Sequence, residues 1–301
     1  MPRSFYAVAF VVGMVTLSGF AKATDRYKPF IHAFTTPESV TETVAQVQAK
    51  LERAGLTLVG HYVLNTDSEV LVATNDMLRG LSLESRLSGF ASTLRVSVNA
   101  TEGGTQVSYV NPDYLQRAYR IETDLSGLAT TLEGALGREA EFGSEKGLTE
   151  KKLAKYRYTF GMEQFDDVYQ LAEFPNQDEA LSAVRAGLNA ADSHVKALYE
   201  LPLSRANTVI FGVSMSSEDE QGKYYDDQFQ MSIVDFTPMK STAYLPYQLL
   251  VIDGAVVALH MRFRMAVHFP DLKMMGKHSF MTLMPSPSAI EKALGVAVNT
   301  P

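Results

Sequence analysis

Ser39-Val40-Thr41-Glu42-Thr43-Val44-Ala45-Gln46-Val47-Gln48-Ala49-Lys50-Leu51-Glu52-Arg53-Ala54-Gly55 carries the signals of a helix with one buried face. Ser39 with Glu42 three residues on is a capping box, in which hydroxyl and carboxylate each take up an otherwise orphan backbone N–H. Val40, Val44, Val47 and Leu51 fall on one helical face, and Gly55 stands where a left-handed terminal residue is wanted. Upstream, Phe30 to Thr35 is extended and Pro37 breaks it. Downstream, strands are expected at Leu56 to Leu64, Glu69 to Thr74, Ser92 to Val98 and Thr105 to Val110, with Thr101-Glu102-Gly103-Gly104 as a hairpin loop. Leu125, Leu128, Leu132 and Leu136 make a closing helix ended by Gly137.

The same order recurs further along. Tyr169 to Phe174 is extended, Asn176 and Glu179 repeat the cap, and Leu181, Val184 and Leu188 line a helix face. Strands are expected near Val195 to Leu201, Thr208 to Ser214, Pro246 to Ile252 and Ala255 to Phe269, the last two joined by a tight type I′ turn at Asp253-Gly254. Ser288, Glu291, Ile290 and Leu294 begin a closing helix that Gly295 ends. Each copy therefore reads β-α-β-β-β-β-α. The expected fold is α+β: two tandem β-α-β4-α domains, antiparallel sheets with helices on one face and the other face open or facing its twin.

Domain limits follow from composition. Residues 1–23 read as a signal peptide, because Arg3 is followed by the apolar run Phe5 to Leu17 and by the cleavage site Ala21-Lys22-Ala23. That run is short of the roughly 20 residues that span a bilayer, and no later segment is long and apolar enough. The first domain is expected over 24–140, an aromatic connector over 141–168, and the second domain over 169–301 with an insertion at about 215–245. Export places the mature chain in a bacterial periplasm or outside the cell.

The full chain of 301 residues has 27 Lys+Arg against 34 Asp+Glu, a net charge of -7, and no cysteine. Removing residues 1–23 takes Arg3 and Lys22 with it and lowers the charge to -9. An acidic chain is a poor tracker of nucleic-acid phosphates, which bind by exchanging counterions for Lys and Arg. Lack of cysteine excludes disulfides, thiolate metal sites and thiol nucleophiles.

Val107-Ser108-Tyr109-Val110-Asn111-Pro112-Asp113-Tyr114-Leu115, behind a helix and a Gly-Gly hairpin, resembles the end of the bacterial domain catalogued as domain of unknown function 302. The resemblance covers about Phe30 to Leu136 and continues into the second copy in outline, where the pattern becomes Ala266-Val267-His268-Phe269-Pro270. It implies a TATA-binding-protein-like fold of β-α-β4-α order. It implies no established activity, so no catalytic residues carry over.

With period two, the expected strand through Phe269 would place Leu259, Met261, Phe263, Met265 and Val267 on a core face, and His260, Arg262, Arg264 and His268 on the other. A row of guanidiniums and imidazoles suits a small anionic or amphipathic ligand, since arginine offers a planar two-donor fork. Tyr158 and Phe160 in the connector clasp the copies together or line a pocket at their junction. The function expected is non-enzymatic binding of a small molecule on the helix-free face or between domains. An alternative is a copper or haem accessory protein, because nine of 13 methionines lie between residues 215 and 284, with Met274, Met275 and His278 in one segment. A second alternative is a module whose exposed sheet docks a periplasmic protein. No metalloprotease, phosphate-loop or dinucleotide motif is present, and Gly212-Val213-Ser214-Met215-Ser216 lacks the final glycine of a nucleophile elbow.

Overall fold

A computed structural model describes residues 25–220 and 222–299; the expected signal peptide, 1–23, lies outside the described residues. The short strand β1 (Arg26–Tyr27) is followed by β2 (Phe30–Thr36), α1 (Val40–Arg53), β3 (Thr57–Asn65), β4 (Ser68–Thr74), α2 (Asp76–Gly80), β5 (Leu94–Thr101) and β6 (Gly104–Val110). Next come α3 (Pro112–Ala118), α4 (Ser126–Leu136), β7 (Ala140–Phe142), β8 (Leu148–Thr149) and α5 (Glu150–Leu153). The chain continues with β9 (Val168–Glu173), α6 (Gln177–Asn189), β10 (Val195–Pro202), β11 (Thr208–Met215) and α7 (Asp227–Val234). It closes with β12 (Tyr247–Ile252), β13 (Ala255–Leu259), α8 (Met261–His268) and α9 (Ser286–Asn299). The architecture is α+β, with two large antiparallel sheets in the orders β3-β4-β5-β6-β2-β7 and β10-β11-β12-β13-β9. Apart from the added edge strand β7, the strand order is the same in both.

Local signals act as their chemistry requires. Both halves of the Ser39–Glu42 capping box are formed, and Asn176 caps α6 by accepting from the Glu179 N–H at 2.9 Å. Asp253 and Gly254 both take positive φ, at 52° and 90°, as a type I′ turn demands. Helices α1 and α4 pack together over the first sheet, and α6 and α9 over the second. A Cβ on Gly187 would lie 1.7 Å from the Ala297 carbonyl, so this glycine is what lets α6 and α9 close to backbone contact.

The helix-free faces are not open. They are turned toward one another, which is why all of β12 and β13 and residues 94–99 of β5 are buried. Tyr199 of the second sheet lies where a side chain on Gly60 of the first would stand, and Leu250 does the same at Gly89. Gln248 Nε2 donates to Thr93 Oγ1 at 2.9 Å, and Tyr62 Oη to Asp227 Oδ2 at 2.8 Å. Burying the two faces against each other removes their apolar area from water at roughly 25 cal/mol per Å², and it also encloses the polar Arg95, Ser97, Asn99 and Gln248.

Three expectations are corrected. The last strand of the second half stops at Leu259; His260 turns the chain, its Nδ1 accepting from the Arg262 N–H at 3.2 Å, and α8 follows. The apolar residues from 257 to 269 satisfy a period of two only while every second residue faces water. Of the eight residues of α8, only Arg262 is exposed, so the alternation does not describe burial. The counterpart of Asn111-Pro112, which caps and opens α3 directly after β6, is therefore His260-Met261 and not Phe269-Pro270. Finally, α9 passes through Gly295 to Asn299, because a glycine inside a helix packed along its length costs only about 1 kcal/mol.

Candidate functional site

The expected row of four cationic residues divides in two. His260 and Arg262, at the start of α8, point outward and share Glu163 Oε1 of the connector at 3.4 and 2.9 Å. Arg264 and His268 sit on the inner side of α8 in the seam between the sheets, 2% and 1% exposed, where they meet Arg95 of β5, also 2% exposed.

His268 is held in one tautomer. Its Nδ1 faces the Arg264 carbonyl oxygen at 2.8 Å and so carries the proton, leaving Nε2 to accept from Arg95 Nη2 at 3.2 Å. Burial pushes its pKa well below the ordinary histidine value, and the guanidiniums of Arg95 and Arg264 push it further. The imidazole is thus neutral. Arg264 Nη2 donates to the carbonyls of Tyr244 and Pro246, and its guanidinium lies 3.9 Å from the Tyr244 ring centroid and 4.4 Å from that of Tyr247. These π faces and carbonyl dipoles partly replace the water it has lost.

Neither Arg95 nor Arg264 forms an ion pair with a carboxylate among the described residues. Arg95 Nε, Arg264 Nη1 and the hydroxyls of Tyr119 and Tyr244 are buried without a well-formed hydrogen bond. Desolvation lowers the pKa of Arg95, and repulsion from Arg264 adds to it; an arginine nevertheless keeps its proton in a protein. Asp227 is the acid of this region. Its Oδ2 accepts from Tyr62 Oη and from the Met215 N–H at 2.9 Å, its Oδ1 has no partner, and burial raises its pKa to about 7 against the opposing pull of those bonds and of Arg264. Two guanidinium charges with no carboxylate at ion-pair distance in a dry seam are costly, because desolvation of an ion in a protein interior amounts to several kcal/mol. Four surface cavities of about 300–800 Å³ among the described residues are lined by other residues than Arg95, Arg264 and His268.

The connector residues do different work. Tyr156 Oη donates to the Ala266 carbonyl at 2.9 Å and the Phe165 ring lies 5.9 Å from that of Phe263, so both fasten α8 in place. Tyr158 is half-buried, with its hydroxyl on the Leu272 carbonyl at 3.1 Å and its ring 4.4 Å from that of Phe280. Phe160 is 90% exposed and joins neither group. Met274, Met275 and His278 are not brought together: Met274 lines a cavity, Met275 is 75% exposed, and His278 bonds the Ile233 carbonyl and stacks on Phe236.

Sequence reasoning missed Arg95, Tyr119, Tyr244 and Asp227. Arg95, Ser97 and Asn99 alternate with Leu94, Val96 and Val98 and so mark one strand face. The dryness of that face is decided by residues more than 140 positions away, such as Thr242, which donates to Asn99 Oδ1 at 2.7 Å.

No protein family matches the chain, and no curated protein matches it. Among solved structures, an uncharacterized conserved protein DUF302 from Bacillus stearothermophilus is similar at 14% identity and a TM-score of 0.31, over 36% of this chain and 95% of that one. That protein is itself described as uncharacterized and brings no activity with it.

Proposed function

We propose that the protein is a non-catalytic binder of a small anion, held in the seam between the sheets by Arg95 and Arg264. The observation that carries this reading is the pair of buried guanidiniums with unpartnered N–H groups and no carboxylate at ion-pair distance among the described residues. An anion between them would receive Arg95 Nε–H and Arg264 Nη1–H, and the hydroxyls of Tyr119 and Tyr244, which lie against these guanidiniums, would turn to donate as well; such charge-assisted contacts are strongest in a dry site. Neutral His268 fits the same purpose, since it supports Arg95 without adding a third positive charge. Buried on every side, the site suits a halide or a compact carboxylate such as formate, and access requires the seam to part. The segment before residue 24 supports a place for this binding in the periplasm or outside the cell, and among the described residues no helix is long and apolar enough to cross a membrane.

Thermal unfolding of the chain from residue 24, titrated with chloride, formate and sulfate at fixed ionic strength, tests the proposal. A ligand that binds only the folded state adds about 2.7 kcal/mol at one hundred times its dissociation constant. Chloride or formate should raise Tm in the wild type, while Arg95→Met, which replaces a buried charge by a side chain of similar volume, should lose the shift. Tyr119→Phe removes one hydroxyl donor and should weaken it. A shift of the same size in wild type and Arg95→Met, or no shift in wild type, overturns the assignment.

A further inference from the structure

Four of the nine methionines singled out in the sequence converge with Met162 of the connector, at a different place from the seam. A surface cavity of about 300 Å³ is lined by Met162, Met261, Met274, Met281 and Met284, closed by Phe280, Leu283 and Pro287 with Arg262 at its edge. The backbone pins three of these residues to one another. The Met281 N–H donates to the Met274 carbonyl at 3.1 Å, and the Met284 N–H to the Met281 carbonyl at 3.3 Å, so Met281 is tied to both. The Thr282 hydroxyl bonds the carbonyls of Gly276 and Lys277 at 3.1 and 3.0 Å, and the Phe280 N–H bonds Lys273 O at 3.0 Å, which folds the segment back on itself. Met261 presents a fourth thioether from the fixed first turn of α8, where it is buried.

Hydrophobic packing does not account for the arrangement. Met274, Met281 and Met284 are each 45% exposed or more, and flexible side chains facing water lose little surface there. What five thioethers around one water-accessible cavity offer is a set of neutral, polarizable sulfur donors, the ligand type that selects monovalent soft cations over the divalent hard ones. From this we infer that the cavity is a thioether site for Cu(I), with Ag(I) as its redox-inert equivalent. The one cation at its edge does not oppose this, because the Arg262 guanidinium is paired with Glu163 at 2.9 Å. The inference stands apart from anion binding in the seam, with which it shares no residue.

A thioether carries no proton to lose, so binding here is independent of pH, in contrast to imidazole, carboxylate or thiolate sites whose affinity falls as they protonate. Calorimetric titration of the mature chain with silver nitrate in chloride-free buffer at pH 5.5 and 7.5 should give one tight equivalent with the same affinity at both values. The variant Met281→Leu/Met284→Leu conserves volume and should weaken binding at least tenfold, while Met275→Leu, outside the cavity, should match wild type. Should the double variant fail to fold, mass-spectrometric mapping of peroxide oxidation in the wild type decides: bound silver should protect Met274, Met281 and Met284 and leave Met275 reactive. Equal affinity in wild type and double variant, affinity that falls tenfold from pH 7.5 to 5.5, or uniform oxidation of all four methionines overturns the inference.

Discussion

Replacing Asp227 with Asn should remove a dependence of stability on pH that the fold builds into the seam. The carboxyl is fully buried and its pKa is raised to about 7, with desolvation the leading cause; in an unfolded chain an aspartate titrates near about 3.9. A folded-state value above the unfolded one means that protonation favours folding. The stability from this group is fully present below about pH 4, declines as pH rises, and is lost above about pH 7. Between pH 8 and pH 5 the folded carboxyl takes up its proton while the unfolded one stays ionised, which is about two units below the folded pKa and so about 3 kcal/mol. Asp227→Asn keeps an acceptor for the Tyr62 hydroxyl and the Met215 N–H but cannot titrate.

The assay is urea unfolding of both proteins at pH 5, 6, 7 and 8. The quantity read is the stability of wild type minus that of the variant. Asp235, which burial raises to about 6, acts in the same direction as Asp227. His268 acts oppositely: its lowered pKa gives stability above about pH 6.5 that is lost as pH falls. Both contributions cancel in the difference, which should move by about 3 kcal/mol toward wild type from pH 8 to pH 5. Parallel stability curves for the two proteins would refute the reasoning and mean that Asp227 keeps an ordinary carboxylate pKa inside the fold.

Further expectations concern packing. Gly187→Ala drives a methyl into the Ala297 carbonyl, so α6 and α9 must separate; a loss of about 3 kcal/mol or more in urea unfolding is expected, and a loss below 1 kcal/mol would show the helices less close than described. Tyr156→Phe deletes a buried hydrogen bond to Ala266 and leaves that carbonyl unpaired, for a loss of about 1–3 kcal/mol in the same measurement. Phe160→Ala, at a side chain 90% exposed, should stay within about 0.5 kcal/mol of wild type; a larger loss would place Phe160 in the clasp after all.

The five main strands and two long helices of each half were legible because their signals are local, whereas the shorter helices α2, α3, α7 and α8 were not. Ser39 and Glu42 lie only three residues apart in the chain, and Asp253-Gly254 requires positive φ whatever surrounds it. The site was half legible. Arg264 and His268 belong to the expected row of four with His260 and Arg262, placed on the wrong kind of element, because mixed apolar and cationic residues fit a period of two until burial on all sides removes the distinction. Arg95 gave no local signal: a polar residue on alternate strand positions reads as solvated, and only the second sheet, laid over it from far along the chain, makes that position dry. The methionines show the same limit, since Met162 and Met284 become neighbours of one cavity through the loop that folds back before α9.

The mutual cover of the two sheets has a consequence for synthesis. Strands β3 to β6 leave the ribosome well before β12 exists, and at 5–20 residues per second the interval is about ten seconds. Were the first sheet to form in that interval, Arg95, Ser97 and Asn99 would stand in water with Val96 and Val98 beneath them, a polar face less prone to stick to other nascent chains than an apolar one. The same side chains that burden the finished interior with unpaired charge would thus act as a temporary solubilising coat. The second half, arriving with α8 and Tyr244, strips it of water only once the correct covering is at hand.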